Sequence, residues 1–392
     1  MMTEYFPTGA FSEEDAKWIL KTDPEMVQNC YLFHVLLVHP VYKGKSGIPY
    51  ISKSKCEHCI EGPRYIEDNG RVRETEACDM WITEIDWKII RETYDIFFWE
   101  IKEMYAAKKG YLPAEFKDVL MKYYQNKTLL KGSPDGSDDA YMYDRSKNLL
   151  NAMYGMTVTR IDNGMVEYHP ENLEEPYKLL DPSADYLEKY YKSRNSFLPY
   201  QWGVWVTAHA RQRLHIMLEK VGFDVCYCDT DSIKFVGNHL AEFEEMNRSI
   251  IKKAEKFGAY ADDKKGKRYY LGTWSQEETM DLFVTLGAKK YLADYGGKIK
   301  STIAGVNKKA GADFFNRAGI EAFKIGTVIE NSGHLVAYRN NEPIHKIVVN
   351  HDEMTTASNV ALVDDTYTLG VTDSYLNLLE AVVNNIFTWE VE

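Results

Sequence analysis

Cysteine is scarce in this 392-residue chain: Cys30, Cys56, Cys59, Cys78, Cys226 and Cys228 are all it has. So few thiols exclude a disulfide framework and predict reduced cysteines. Long apolar runs are missing too, and nothing approaches the ~20 residues that a membrane-crossing helix requires. The opening MMTEYFPTGAFSEEDAK lacks the basic-then-apolar pattern of a secretory leader. These absences together predict a cytoplasmic protein. No repeat of fixed period occurs, which excludes a solenoid. Net positive charge is also lacking. A formal charge of -12 argues against a surface coated for indiscriminate nucleic-acid binding.

What is present predicts a folded protein of two or three domains, since 45% of residues are apolar and 13% aromatic. The acidic total hides one basic region. Ile250 to Lys309 holds thirteen Lys plus Arg against seven Asp plus Glu, a local excess of 13 - 7 = +6. Such a field suits a groove that tracks phosphates, although clustering on a solvated helix face would look the same.

In chain order, Ser12 followed by acids predicts a capped helix over Ala16 to Lys21. Cys30 to His39 and Met80 to Ile85 read as strands, while Asp86 to Tyr105 mixes helical and strand-like spacing. Cys56-Glu57-His58-Cys59 is half of a zinc site that Cys30 and Cys78 could complete; a long hairpin explains it as well. Glu115 to Lys127 and Tyr141 to Tyr154 are helical by spacing, with Gly155 placed where the second helix would stop. Trp202 to Val221 is the most regular helix, with Val206, Ala210, Leu214 and Met217 expected on its apolar face. Helices are also expected over Asn238 to Phe257 and Ser374 to Ile386, and strands over Tyr269 to Trp274, Asp281 to Leu286 and Ser301 to Val306. Thr157 to Asn195, with Pro170, Pro176 and Pro182, reads as an insertion with little regular structure before about Asp185.

Two stretches carry chemistry. Phe223 to Phe235 (FDVCYCDTDSIKF) alternates at the period of a half-buried strand on either side of Asp229-Thr230-Asp231-Ser232, so it predicts a hairpin with carboxylates at its bend. Two acids one residue apart can converge on a hard cation that also keeps water and phosphate oxygens; an ordinary polar turn is the blander alternative. On the second stretch, Lys147, Asn151 and Tyr154 stand at i, i+4 and i+7 of one helix. An ammonium suits triphosphate oxygens and a ring suits a sugar or base, with Lys127 or Lys131 nearby to add charge. An exposed polar stripe is the alternative here.

Taken in order, Lys-x-x-x-Asn-x-x-Tyr-Gly (147–155), Tyr-x-Asp-Thr-Asp-Ser (227–232) and Lys-x-Tyr (289–291) resemble the fingers and palm motifs of family B DNA polymerases. GVWVTAHAR, FKDVLMKYYQNK and WITEIDWKIIRETYD look specifically like the protein-primed branch, found in phages and mobile elements. The resemblance implies an α+β fold: a palm with an antiparallel sheet, helical fingers, two insertions and a small thumb. It implies a first insertion over 1–114 that contacts terminal protein and DNA, fingers over 115–157, a second insertion over 158–196, palm over 197–306 and thumb over 307–392.

The activity implied is template-directed DNA synthesis by two-metal nucleotidyl transfer. Asp231 and Asp229 would be the catalytic, metal-binding acids for two Mg²⁺ ions, with Mn²⁺ as a substitute. Lys127 and Lys147 would hold the triphosphate, Asn151 would organise the fingers helix, and Tyr154 would pack on the nucleotide sugar. Lys289, Tyr291 and Gly155 would contact DNA and primer. Primer-template DNA, dNTPs and a terminal-protein primer are the partners implied, in the host cytoplasm if a phage encodes the chain.

Two departures stand out. Ala152 replaces the usual Ser, and no Asp-x-x-Ser-Leu-Tyr-Pro string, the family's other metal-binding acid motif, is present. Met1 to Tyr5 looks like sequence just downstream of that motif, and the acidic motifs of the proofreading exonuclease are missing as well. The expectation is therefore a C-terminal polymerase portion, incomplete without an upstream half. A non-catalytic DNA-binding or assembly subunit with the same fold is the alternative. A metal-dependent glycosyltransferase using Asp-x-Asp is a weaker one, because no strand-helix alternation with a Gly-rich turn precedes Phe223.

Overall fold

The computed structural model describes residues 1–158, 165–168, 177–180, 188–190, 192–193, 199–349 and 352–371. The helix expected over Ser374 to Ile386 and most of the expected second insertion lie outside them. The chain divides into two compact units, Met1–Tyr65 with Arg73–Trp274, and Ile66–Val72 with Ser275–Glu392.

The first unit begins with β1 (Phe6–Glu13), α1 (Ala16–Thr22), β2 (Asn29–Tyr42) and β3 (Cys56–Cys59). After β4 (Ile66–Asp68), which groups with the second unit, and β5 (Arg71–Glu74), of which Arg71 and Val72 do, come β6 (Ala77–Thr83), α2 (Glu84–Thr93) and β7 (Tyr94–Gly110). The strands pair antiparallel in the order β1-β7-β2-β6-β3. Along β2, Tyr31, Phe33, Val35 and Leu37 are wholly buried, at the alternate positions that strand geometry assigns to one face.

Local chemistry explains where helix and strand meet. Asp15, not Ser12, caps α1, its carboxylate accepting from the backbone of Lys17 and Trp18; Ser12 is taken up in β1. The ambiguous stretch from Asp86 to Tyr105 resolves into α2 followed by β7, because Thr83 and Asp86 form a reciprocal capping box that starts the helix. Cys56 and Cys59 lie on β3, paired with β6, where Cys59 faces Cys78. All six cysteines are free thiols, and among the described residues no group of three or more His, Cys, Asp or Glu is arranged to hold a metal.

The unit continues with α3 (Ala114–Leu129) and α4 (Asp138–Thr157), a helical hairpin whose connection turns at Gly132 and Gly136, both at positive φ. Gly155 does not end α4, which runs on to Thr157. Two short strands, β8 (Met165–Tyr168) and β9 (Tyr177–Leu180), pair antiparallel. Then come α5 (Tyr200–Val221), β10 (Val225–Asp229), β11 (Ser232–Phe235), α6 (Leu240–Phe257), β12 (Tyr260–Asp262) and β13 (Arg268–Tyr270). Among the described residues no helix is long and apolar enough to cross a membrane.

Helix α5 is the hub of this unit, packing against α2, α4, α6, β1 and β11. Its buried residues are Gly203, Trp205, Ala208, His215, Met217, Leu218 and Val221. Ala210, expected on the apolar face, is exposed, because neighbours on several sides draw the buried stripe elsewhere. Polar ties hold the helix at both ends. Arg213 binds Glu4 at 2.7 Å, Trp205 Nε1 donates to Glu84 at 3.1 Å, and Glu219 accepts from Lys45 N at 2.6 Å and from Ser46 Oγ at 2.9 Å.

In the second unit β14 (Leu282–Thr285), β15 (Lys290–Asp294) and β16 (Ile299–Ile303) form an antiparallel sheet. Helix α7 (Lys308–Ala318) packs on β16, its Phe315 wholly buried with Leu292, Ile303 and Ile329. A long hairpin of β17 (Val328–Val349) and β18 (Asp352–Thr368) follows.

Candidate functional site

The expected carboxylate hairpin forms. In β10–β11, Asp229 pairs with Ser232, which leaves Thr230 and Asp231 at the bend. The bend is tight: Asp231 N donates to Asp229 O at 2.6 Å, and Thr230 sits at φ +55°, a region disfavoured for a β-branched residue. Two hydroxyls steady Asp229. Thr230 Oγ1 donates to its carboxylate at 2.9 Å, and Ser232 Oγ donates to its carbonyl at 3.1 Å. Asp231 is exposed, and among the described residues its carboxylate makes no hydrogen bond or ion pair. Hard anionic oxygens, one steadied and one open to solvent, are a donor set that fits a divalent cation keeping water and phosphate ligands.

The cationic group forms on the α3–α4 hairpin. Leu150 and Met153 pack inward against Leu120, Ala254 and Ala259, which leaves Lys147 and Asn151 exposed on the outer face, as their spacing predicts. Tyr154 is half-buried and Gly155 exposed. A Cβ added at Gly155 would meet nothing within 4 Å, so this face is open to a close approach. Burial, followed by repulsion from the Lys147 and Lys131 ammonium groups, lowers the pKa of Lys127. Lys127 therefore feels two like charges, and among the described residues none of the three lysines forms an ion pair with a carboxylate. Uncompensated ammonium groups held together mark a place for a polyanion.

The structure thus places Asp229 and Asp231 on one tight bend, and Lys147 within electrostatic reach of Lys127. Helix α5 packs against both carriers, α4 on one side and β11 on another. Lys289 and Tyr291 belong to the other unit, at the β14–β15 turn. Lys289 is exposed at φ +54°, and the Tyr291 ring lies 5.3 Å from that of Phe283.

Sequence reading missed several residues that hold α5. Arg211 Nη2 reaches Asp86 Oδ1 at 2.7 Å, and Tyr50 donates to the same oxygen. Half-buried Glu84 accepts from Tyr31 N and Trp205 Nε1; loss of solvation outweighs these bonds and raises its pKa to about 7. The one sequence signal near these residues was the Thr83-x-x-Asp86 capping box.

The chain is homologous to the phi29-type protein-primed DNA polymerases. The DNA polymerase of Bacillus phage PZA is 25% identical over 266 residues, 67% of this chain and 39% of that protein. Those of Bacillus phages phi29 and Nf are 24% and 26% identical over similar spans. The chain therefore spans about two fifths of the length of these curated relatives. No family model matches it. The fold is that of phi29 DNA polymerase over most of the chain. The solved complex with primer-template DNA and incoming nucleotide substrates superposes with a TM-score of 0.57 at 20% identity, covering 93% of this chain and 55% of that one. The structure of the phi29 enzyme with primer-template DNA alone gives the same values.

Proposed function

We propose that this chain carries nucleotidyl-transfer machinery of a protein-primed DNA polymerase, adding deoxynucleotides to a primer along a DNA template. The observation that carries the reading is that one helix, α5, packs against both the Asp229–Asp231 hairpin and the helix that presents Lys147 to Lys127.

In this reading Asp231 and Asp229 hold two divalent ions, magnesium or manganese. When bound, such ions lower the pKa of a primer 3'-hydroxyl and neutralise charge as the phosphoryl group transfers. The protein's own share is position and charge. Lys127 and Lys147 grip the triphosphate, Asn151 orders the fingers helix, and Tyr154 packs on the sugar, where it disfavours a 2'-hydroxyl. Gly155 lets a DNA strand approach, and Lys289 and Tyr291 hold the primer end. Residues 115–157 act as fingers, 197–306 as palm and 307–392 as thumb. Residues 1–114 and 158–196 act as the two insertions, the first of them meeting a terminal protein that supplies the priming hydroxyl. The setting is the cytoplasm of the host cell.

Among the described residues no third acid joins Asp229 and Asp231. In this reading the chain works with a polypeptide that carries the remaining metal-binding carboxylate. Losing one such electrostatic contribution costs a factor of roughly 10²–10³ in rate.

The test mixes this chain with a separately produced polypeptide bearing an Asp-x-x-Ser-Leu-Tyr-Pro motif and measures dNTP incorporation on a primed template. Little synthesis alone, synthesis in the mixture, and its loss with Asp231→Asn are expected. Vigorous synthesis by the chain alone would refute the shared site. DNA binding without synthesis in any mixture would favour a non-catalytic DNA-binding subunit.

A further inference from the structure

The β12–β13 hairpin has no part in the chemistry just described, yet it is built into the same core. Its root packs with α3, α4 and α6: Ala259 is wholly buried beside Leu120 and Ala254, and Tyr270 and Leu271 pack against that cluster. Its tip, Lys264-Lys265-Gly266-Lys267, is fixed by one carboxylate. Asp263 Oδ1 accepts from Lys265 N at 2.8 Å and from Lys267 N at 2.9 Å, while Gly266 takes a positive φ of 76°. A tip ordered in this way loses little further entropy when its side chains meet a ligand.

The charges at the tip sort into two kinds. Lys264 reaches across to the α3–α4 connection, 3.3 Å from Ser133 Oγ and 3.4 Å from Asp139, and Arg268 is paired with Asp262 at 2.8 Å. Lys265 and Lys267 are exposed, and among the described residues neither forms an ion pair. Ser133 lies two residues beyond Lys131, which itself acts on Lys127. The tip thus places two ammonium groups without ion-pair partners on a hairpin tied through Lys264 to the α3–α4 connection. Aromatic rings alternate with the cations: Arg268 lies 4.0 Å from the Tyr260 ring centroid, Lys267 lies 5.2 Å from that of Tyr269, and Tyr269 is 39% exposed. Ammonium groups without ion-pair partners beside one accessible ring, that of Tyr269, are a surface that single-stranded nucleic acid takes, phosphates on the charges and a base on the ring.

We infer that the tip of the β12–β13 hairpin, through Lys265, Lys267 and Tyr269, is a contact for the single-stranded part of a nucleic-acid template as it passes the α3–α4 hairpin. This rests on the function proposed above. The contact is electrostatic and sequence-independent, and it steadies the unpaired strand without touching the reacting atoms.

The experiment measures the affinity of the full-length chain for two fluorescent DNAs, a primer-template with a long 5' overhang and a blunt duplex, across a salt series. Each phosphate contact on a single strand contributes about 0.7 to the slope of log affinity against log salt. Lys265→Gln/Lys267→Gln should therefore flatten the overhang slope by about 1.4 and leave the blunt-duplex slope unchanged. Tyr269→Ala should weaken overhang binding at every salt concentration without altering the slope. Unchanged melting temperatures would confirm that both variants fold. Overhang slopes equal to wild type, or an equal flattening on blunt duplex, would overturn the inference while the proposed function stands. A wild-type chain that binds neither DNA would overturn both.

Discussion

Arg211 places Nε and Nη2 on a single oxygen of Asp86, at 3.1 and 2.7 Å, and so joins α5 to the first turn of α2. The same aspartate closes the capping box of α2 through its other oxygen, which accepts from Thr83 N at 3.1 Å. One carboxylate, 6% exposed, therefore starts one helix and fixes another. Arg211→Ala would leave that charge buried without its partner. A fully buried pair broken in this way costs about 3–5 kcal/mol, and the 40% exposure of the guanidinium side chain reduces the expected loss to about 2 kcal/mol. Urea denaturation measures it. Because α5 packs against the Asp229–Asp231 hairpin, nucleotidyl transfer by the mixture with the acid-bearing polypeptide should fall in parallel.

Much of this was legible from pattern. The bend at Asp229–Asp231 and the outward face of Lys147 and Asn151 follow from period-2 and period-3.6 spacing, and the structure places them so. The apolar stripe of α5 was harder to read, because an all-round hub buries residues on whichever sides have neighbours, and that is tertiary information. The path from Asp86 to Tyr105 stayed ambiguous because its apolar residues satisfy both periods; the cap at Thr83 decides it, as a local hydrogen-bond pattern and not a hydrophobic one. The ties to Glu84, Asp86 and Glu219 link residues more than 120 positions apart, and no spacing rule reaches that far.

Glu84 predicts a pH dependence. Burial raises its carboxyl from an ordinary 4.5 to about 7, against the opposing pull of bonds from Tyr31 N and Trp205 Nε1. The folded chain therefore holds a proton between those values that the unfolded chain has released, so stability falls as pH rises from about 4.5 to 7. The shift corresponds to about 3 kcal/mol. Glu4 is half-buried yet held near 2 by Arg213 and Lys253, and Asp79 is buried yet held near 2 by Lys102 and His58; both act only below this window. His239, raised through its bond to Asp224, acts in the same direction as Glu84. Comparing wild type with Glu84→Gln isolates the carboxyl. The Met1 amino group and His209, both lowered by burial, act in the opposite direction, so the change in denaturant midpoint from pH 5 to pH 8 should be more negative in wild type than in the variant.

The repulsion among Lys127, Lys131 and Lys147 separates binding from stability. A hydrogen bond to a charged group is worth about 1.5–3 kcal/mol, so Lys127→Ala or Lys147→Ala should weaken nucleoside triphosphate binding roughly 10- to 150-fold. Loss of an unpaired charge from a like-charged cluster should leave the melting temperature unchanged or slightly raised. Equilibrium binding of a fluorescent nucleotide and a thermal melt together check both halves. A melting temperature lowered in step with affinity would mean that these lysines support the fold instead.

Thr230 carries strain where the acids meet. A non-glycine residue in the left-handed region costs about 1–2 kcal/mol, and here the side chain is β-branched as well. Thr230→Gly should relieve most of that, offset in part by the added freedom of the unfolded chain, for a net gain of about 0.5–1 kcal/mol. It also removes the hydroxyl that donates to Asp229 at 2.9 Å. Stability should therefore rise while metal-dependent incorporation falls, with Thr230→Ser restoring the hydroxyl and most of the activity. Denaturation of the three proteins, and primer extension by each mixed with the polypeptide that bears the Asp-x-x-Ser-Leu-Tyr-Pro motif, decide the matter.

Gly203 lies where α5 meets the end of α4. A Cβ there would fall 2.1 Å from Val158 Cγ1 and 2.7 Å from Thr157 Oγ1, distances that require something to move. Thr157 is buried and its hydroxyl donates to Tyr154 O at 2.7 Å, so the movable partner is the last turn of α4, which carries Tyr154 and Gly155. Overpacking of this kind costs typically 1–3 kcal/mol. Gly203→Ala should lower the melting temperature and weaken nucleotide binding more than Asn151→Ala on the exposed face, because it shifts the turn that bears Tyr154. Helix α5 itself should not suffer, since Ala is the better helix former by about 1 kcal/mol. The α3–α4 hairpin should therefore loosen first, and amide hydrogen exchange along α4 compared with β2 and β7 would show whether the loss is local to that hairpin or shared by the whole unit.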